Sequence, residues 1–495
     1  MKHFTPGRNL LVAIVVMCIA LACVHILIML SGSEPSPVQE LTVWHAYNGA
    51  KKQYFDDMID AFNESVGFDT GIHISTVAKA PQDQLSLALV DAVDGRIGAE
   101  PMPDIFSAYA DGAYPLYQKG LLANLSGYLS AQQWAQYIPG YLAEGEFEPG
   151  KIFLMPVIKA VEFLYLNETD WDDFSHATGI GIEGLATWEG IADIARQYYE
   201  WTDSLTDVPD DGKAFFGLDA MDHYMLLGSL QLGQDLFTIR DNRASVNADK
   251  RILRKLWDHY YVPYINGHYT AIGRYCSDDA KTGDIIAFVG SATSAAYFPQ
   301  SVVREDLTQY PIEGLVYAAP TFAGNKPYAI SHGAGMAVTK STKEREQAAM
   351  TFLTWFTESA HSIYYCVGAG TLPVTKDANR AGYIQLRLDD IVAADTMIIS
   401  PTVRQGLLLG AQTVTDRPLY NAKPFYNAQK ARAILNESMQ RKADADRSAI
   451  SRLMLSGERR QDAIKRFDTD ENFEIWYAAF VSSLTQSLKE PLERF

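Results

Sequence analysis

Apolar and polar positions alternate along the chain in blocks that change period. Leu41 to Trp44 reads as a short buried strand and Tyr47 to Ala50 as a turn into a helix, on which Tyr54, Met58 and Phe62 recur at i, i+4 and i+8. Ile72 to Val77 reads as a second strand. Strand, helix and strand at this spacing predict a parallel βαβ unit, hence an α/β architecture whose site lies on loops at the carboxyl ends of strands. The alternation continues with strands at Pro103 to Ser107 and Phe163 to Leu166. A helix follows, opened by Thr187 as N-cap and carrying the stripe Ile191, Ile194, Ala195 and Tyr198. Ile285 to Val289 and Gly335 to Val338 read as buried strands, and Ala348 to Phe356 as a helix. From about Ala431 the pattern is helical throughout, with a core stripe at Phe473, Tyr477, Phe480, Leu484 and Leu488.

The amino terminus has a different character. Lys2 and Arg8 precede an apolar run from Leu10 to Leu30, and a Ser/Pro-rich linker ends it. This is an export signal. As a helix the run measures about 31 Å, enough to cross a bilayer as an uncleaved anchor and longer than most secretory apolar regions. Ala20-Leu21-Ala22-Cys23 also resembles the bacterial lipoprotein cleavage box, with Cys23 as the acylated residue, although the apolar stretch continues past it. Lipidation, anchoring and free secretion all stay open, and all three place residues 41–495 outside the cytoplasm.

Composition narrows the function. With 495 residues, 47% hydrophobic and 21% charged, the chain holds two to four folded units with little room for disorder. A net charge of -18 repels phosphate backbones and anionic lipid, which disfavours nucleic acid. Four cysteines, two of them in the signal region, exclude a disulfide framework; Cys276 and Cys366 are either a single bridge or two buried thiols. No phosphate loop, dinucleotide glycine pattern, zinc helix or Gly-x-Ser-x-Gly elbow occurs, and Asp468, Asp470 and Asn472 fail as a calcium loop because Phe473 and Ala479 stand where Gly and Glu are needed. Neither a cofactor nor a metal is expected.

Several segments, in order, resemble the extracellular solute-binding proteins of ABC importers, in the group that contains the maltose- and glycerol-3-phosphate-binding proteins. They are Leu41 to Gly49, Pro103 to Phe106, Lys119 to Leu125, Phe163 to Asn167, Thr187 to Glu189, Gly283 to Ser291 and Ser331 to Lys340. The resemblance implies a two-lobed, periplasmic-binding-protein-like (type II) α/β fold with a hinge and extra C-terminal helices. Residues 1–30 are then the signal or anchor and 31–40 a linker. The N-terminal lobe takes 41–155 with about 315–360, and the C-terminal lobe takes 156–314 with about 361–495.

It further implies a non-enzymatic, monomeric receptor, tethered to the outer face of the cell membrane, that closes on a sugar or polyol and delivers it to the transmembrane permease subunits. Ligand contacts are then expected at Trp44, His45, Tyr47 and Asn48 on the first turn, and at Tyr109 and Asp111 after the second ligand loop's strand. Lys159 and Glu162 before the crossing strand, Ser291 and Ser294, and Gly333 complete the set. Small hydroxyl residues that the glycerol-phosphate group carries before the crossing strand are replaced here by Lys159 to Glu162, and the late phosphate-binding Arg has no counterpart around Lys423-Pro424-Phe425. Both departures favour a neutral carbohydrate over a polyol phosphate. A carbohydrate-active enzyme and a ligand-sensing partner of a signalling receptor are the alternatives from other classes.

Overall fold

The computed structural model describes residues 38–240, 243–304, 306–395 and 397–489. The Leu10 to Leu30 run, Cys23 and the linker up to residue 37 lie outside them. Two four-stranded sheets organise the chain. Their strands are β1 (Gln39–His45), β2 (Ile72–Ala78), β3 (Ile105–Ala108), β4 (Glu162–Asn167), β5 (Phe216–Leu218), β6 (Ala287–Ser291), β7 (Gly314–Ala318) and β8 (Gly335–Val338). The first sheet runs β8-β3-β1-β2 and the second β7-β4-β6-β5. Each therefore takes one strand from the late part of the chain.

The expected βαβ unit is present. β1 pairs parallel with β2 from Gln39 opposite Ile72 to His45 opposite Ala78, and helix α1 (Gly49–Glu64) makes the crossover. Its buried stripe is Phe55, Met58, Ile59 and Phe62, whereas Tyr54 sits half-buried at the edge, its ring against Gly368.

Helices α2 (Ala110–Gln118), α3 (Pro139–Gly145), α4 (Trp188–Asp203), α5 (Met221–Gln231), α6 (Lys250–Ile265), α7 (Lys343–Thr357) and α8 (Ser359–Ala369) cover the sheets, with α9 (Pro401–Asp416) after them. Thr187 caps α4 as expected, its hydroxyl accepting from the Gly190 amide at 3.1 Å. α7 and α8 pack on α1 against the first sheet. The C-terminal helices α10 (Ala428–Leu455), α11 (Arg460–Lys465) and α12 (Asp470–Ser487) pack on α5 and α6 beside the second sheet. On α12 the buried stripe is Phe473, Trp476, Phe480 and Leu484, with Tyr477 half-buried at its margin. Trp476 displaces Tyr477 because its indole stacks on Phe480 and donates to the Ser438 hydroxyl at 3.1 Å.

A short ladder of backbone bonds lies where the chain passes from the first sheet to the second. Met155 pairs with Met336, Ala160 with His332, and Lys159 with Leu372. Cys276 and Cys366 are buried free thiols. Among the described residues no helix is long and apolar enough to cross a membrane.

Candidate functional site: the inter-lobe cleft

Beside this ladder lies a cavity of about 230 Å³ whose walls come from both lobes. α2 brings Tyr109 and Ala110 at its start, α3 brings Glu144, and α5 brings Asp222, His223 and Leu226. The segment between β7 and β8 contributes Ile330, Ser331 and His332, and α10 contributes Arg432. A second chamber of about 320 Å³ shares Leu226, Ala422 and Arg432 with it and adds Phe237, Tyr420 and Phe425. Polar groups inside and aromatic rings outside are the usual composition of a small-molecule cleft.

Charge in the inner chamber is balanced almost group by group. The Arg432 guanidinium lies 3.3 Å from Asp111 on the first lobe and 3.8 Å from Asp222 on the second, so one side chain ties both walls. Lys159, only 1% exposed, donates to the Glu144 carboxylate and, at 2.7 Å, to the Gly333 carbonyl. His223 Nδ1 contacts Glu162 at 2.7 Å, and its Nε2 lies 3.9 Å from Asp222. Burial pulls the His223 pKa down, but Asp222 and Glu162 outweigh it and raise it to about 9, so the ring is an imidazolium at neutral pH. Tyr109 is raised by burial, with Arg432 opposing and Asp111, Glu144 and Asp222 reinforcing.

The sequence-expected residues divide into groups. Tyr109 lines the cavity, Asp111, Lys159 and Glu162 pair with its walls, and the Gly333 carbonyl holds Lys159. Tyr47 is buried behind Tyr109, its hydroxyl without a partner, and stacks on His45 at 5.0 Å. Gly333 has φ +111, which an L residue rarely adopts, and a Cβ there would meet the Ile158 carbonyl at 3.3 Å.

Trp44 and Asn48 lie elsewhere. Alternation along β1 turns Trp44 to the opposite face from Val43 and His45. There it is 2% exposed in the first-lobe core with Phe106, and Lys79 sits over its ring at 4.3 Å. Asn48 is exposed at the start of α1. Ser291 caps the turn after β6 through the Thr293 amide and stands opposite Glu162 in the sheet, and the Ser294 hydroxyl crowds Gly290.

Glu144, Asp222, His223 and Arg432 carry no local signal, and Ser331 and His332 open the Ser331 to Lys340 segment of family resemblance without being singled out as contacts. They come from four separate segments, Asp222 with His223 and Ser331 with His332 being neighbours, and folding brings the four together. Arg432 supplies a late arginine further along than Lys423 to Phe425, but it arrives already bracketed by two carboxylates.

A family model described as bacterial extracellular solute-binding protein matches residues 57–395, more than half of the chain. The chain belongs to that family of extracytoplasmic binding proteins, and its fold is the two-lobed one of its solved relatives. The cyclic alpha-maltosyl-1,6-maltose binding protein of Arthrobacter globiformis is 17% identical with a TM-score of 0.63, over 92% of this chain and 100% of that one. The GacH receptor of Streptomyces glaucescens, solved unliganded and with acarbose, is 14% identical with a TM-score of 0.61, over 91% and 99%. UgpB of Mycobacterium tuberculosis, solved with glycerophosphocholine, is 16% identical with a TM-score of 0.60, over 90% and 98%. No curated protein sequence matches the chain significantly.

Proposed function

We propose that this protein captures a neutral carbohydrate or polyol in the inter-lobe cleft and delivers it unchanged to the permease of an ABC importer. The observation that carries the reading is the neutralised wall. Lys159, Arg432 and His223 each face a carboxylate of their own, while Glu144, Asp222 and Ser331 line the space with hydroxyl-binding atoms. A phosphate here meets as much negative as positive charge. A sugar hydroxyl both donates and accepts, and so suits such a wall. Relatives named for maltosyl-maltose and acarbose accord with this reading, and the one solved with glycerophosphocholine marks the alternative, a polyol phosphate held by Arg432.

Delivery requires the cleft to stand at the outer face of the membrane. Lipid on Cys23 or an uncleaved Leu10 to Leu30 anchor achieves that, with the receptor acting as a monomer. A thermal-shift screen of the protein against neutral mono- and disaccharides, polyols and glycerophosphocholine tests the reading, since a bound solute raises the unfolding midpoint by mass action. Stabilisation by a neutral sugar that product analysis finds uncleaved supports it; stabilisation by glycerophosphocholine alone, or turnover of the sugar, overturns it.

A further inference from the structure

Two buried polar atoms, on adjacent residues that line the inner chamber, have nothing in the chain bonded to them. Ser331 is 5% exposed and its hydroxyl has no partner, and the Nε2 atom of His332 is likewise buried and unpartnered. Other buried polar atoms among the described residues also lack a partner, but these two are adjacent and belong to the lining of one cavity, which points to a partner that arrives from outside the chain. We infer that Ser331 and His332 form a hydroxyl-reading pair, which selects solutes presenting a hydrogen-bond donor at the deep end of the cleft. The inference deepens the carbohydrate reading and rests on it.

The segment is fixed by its backbone. The His332 amide donates to the Ala160 carbonyl at 3.0 Å, the Ala160 amide returns a bond to the His332 carbonyl at 2.8 Å, and the Ser331 amide donates to Tyr420 at 2.8 Å. The protonation of the ring is also set. Burial first, then the charges of His223, Lys159 and Lys51, hold its pKa well below the ordinary value, and a hydrogen bond to the Val161 backbone uses its one proton. What remains at Nε2 is a lone pair. A phosphate oxygen has no proton to offer it; a hydroxyl does.

Asp222 extends the same surface. Its nearest cationic atoms, on Arg432 and His223, stand at 3.8 and 3.9 Å, beyond hydrogen-bond length, so the carboxylate keeps room to accept. The His223 and His332 ring centres are 5.0 Å apart, which sets an imidazolium donor beside a neutral acceptor. Adjacent hydroxyls of a polyol match that alternation. Because His332 is also a rung of the backbone ladder, a solute bonded to its ring touches the ladder itself.

The test uses calorimetric titration of the full-length protein with glucose, maltose, mannitol and glycerophosphocholine, and then with deoxy analogues of whichever neutral compound binds. His332→Leu should weaken that compound about tenfold, the usual worth of one hydrogen bond to a buried acceptor, and His332→Gln, which restores an acceptor, should recover most of the loss. One deoxy analogue should bind wild type about tenfold more weakly yet bind His332→Leu no worse than the parent compound does. Unfolding midpoints without ligand should fall only slightly, since the Val161 carbonyl that loses the His332 donor still accepts from the Ala292 amide at 2.8 Å. If a neutral compound binds and His332→Leu and Ser331→Ala bind it as wild type does, the hydroxyl-reading pair is wrong while the carbohydrate reading stands. If only glycerophosphocholine binds, the carbohydrate reading falls, and the pair falls with it when His332→Leu and Ser331→Ala bind that compound as wild type does.

Discussion

The inter-lobe cleft and the seam between α6, α10 and α12 are built from the same materials, and they end in opposite states. In the seam, Tyr261 donates to Asp446 at 2.5 Å, Tyr264 to Asp444 at 2.5 Å, and Tyr260 to Gln440. Asn472 bonds both Asp446 and the Tyr261 hydroxyl, and Lys442 closes the group at 2.5 Å from Asp446. Every one of these carboxylates has a donor from the chain. In the cleft, Arg432 stands 3.3 and 3.8 Å from Asp111 and Asp222, and Ser331 and His332 keep polar atoms unpaired. Completed chemistry holds helices together; chemistry left open is available to a solute.

The comparison can be broken most forcefully at Lys159. Lys159→Met strands the Glu144 carboxylate in a buried place and should cost about 4 kcal/mol of unfolding free energy by urea titration, and Glu144→Gln in the same chain should return most of it. If the single variant is as stable as wild type, the buried pair does not hold the backbone ladder. In the seam, Asp446→Ala should cost about 3 kcal/mol by the same measurement, because it deprives Tyr261, Asn472 and Lys442 at once. Solute affinity of the folded fraction should not change, and a loss of affinity would erase the distinction between the two regions.

The pH dependence sharpens the contrast further. His223 has a folded-state pKa raised to about 9 from an ordinary 6.5. Its contribution is therefore fully present below pH 6.5 and is lost as pH rises through about 9. Urea midpoints measured from pH 6 to 10 should fall across that window, and Glu162→Gln should start the fall at lower pH. An unchanged profile in Glu162→Gln would remove Glu162 as the cause. The smallest effect is expected at Tyr47→Phe, which deletes a hydroxyl that bonds to nothing. Thermal unfolding should be unchanged or show a gain of up to about 1 kcal/mol, and a clear loss would mean that the hydroxyl has a partner after all.

Much of the scaffold was legible because period carries burial. The βαβ unit, the Thr187 cap and the strand at Gly335 to Val338 follow from local alternation and need no knowledge of the rest of the chain. On α12 the same reasoning located the helix but centred its stripe on Tyr477 instead of Trp476, since which aromatic turns inward depends on Ser438 and Phe480 of the folded molecule. Trp44 makes the point within the cleft region. Its place on the first turn suggested a ligand contact, yet strand alternation sends it to the far face of the sheet.

Taken alone, the amino-acid sequence determined the alternating α/β architecture, the late helical block, the absence of local cofactor motifs and the family likeness, all of which reside in short-range pattern and residue order. Only the tertiary structure decided that Glu144, Asp222, His223, Ser331, His332 and Arg432 share one small chamber. The four segments they come from are far apart along the chain yet line one cavity, and no local period encodes which side chains meet when two lobes fold against each other.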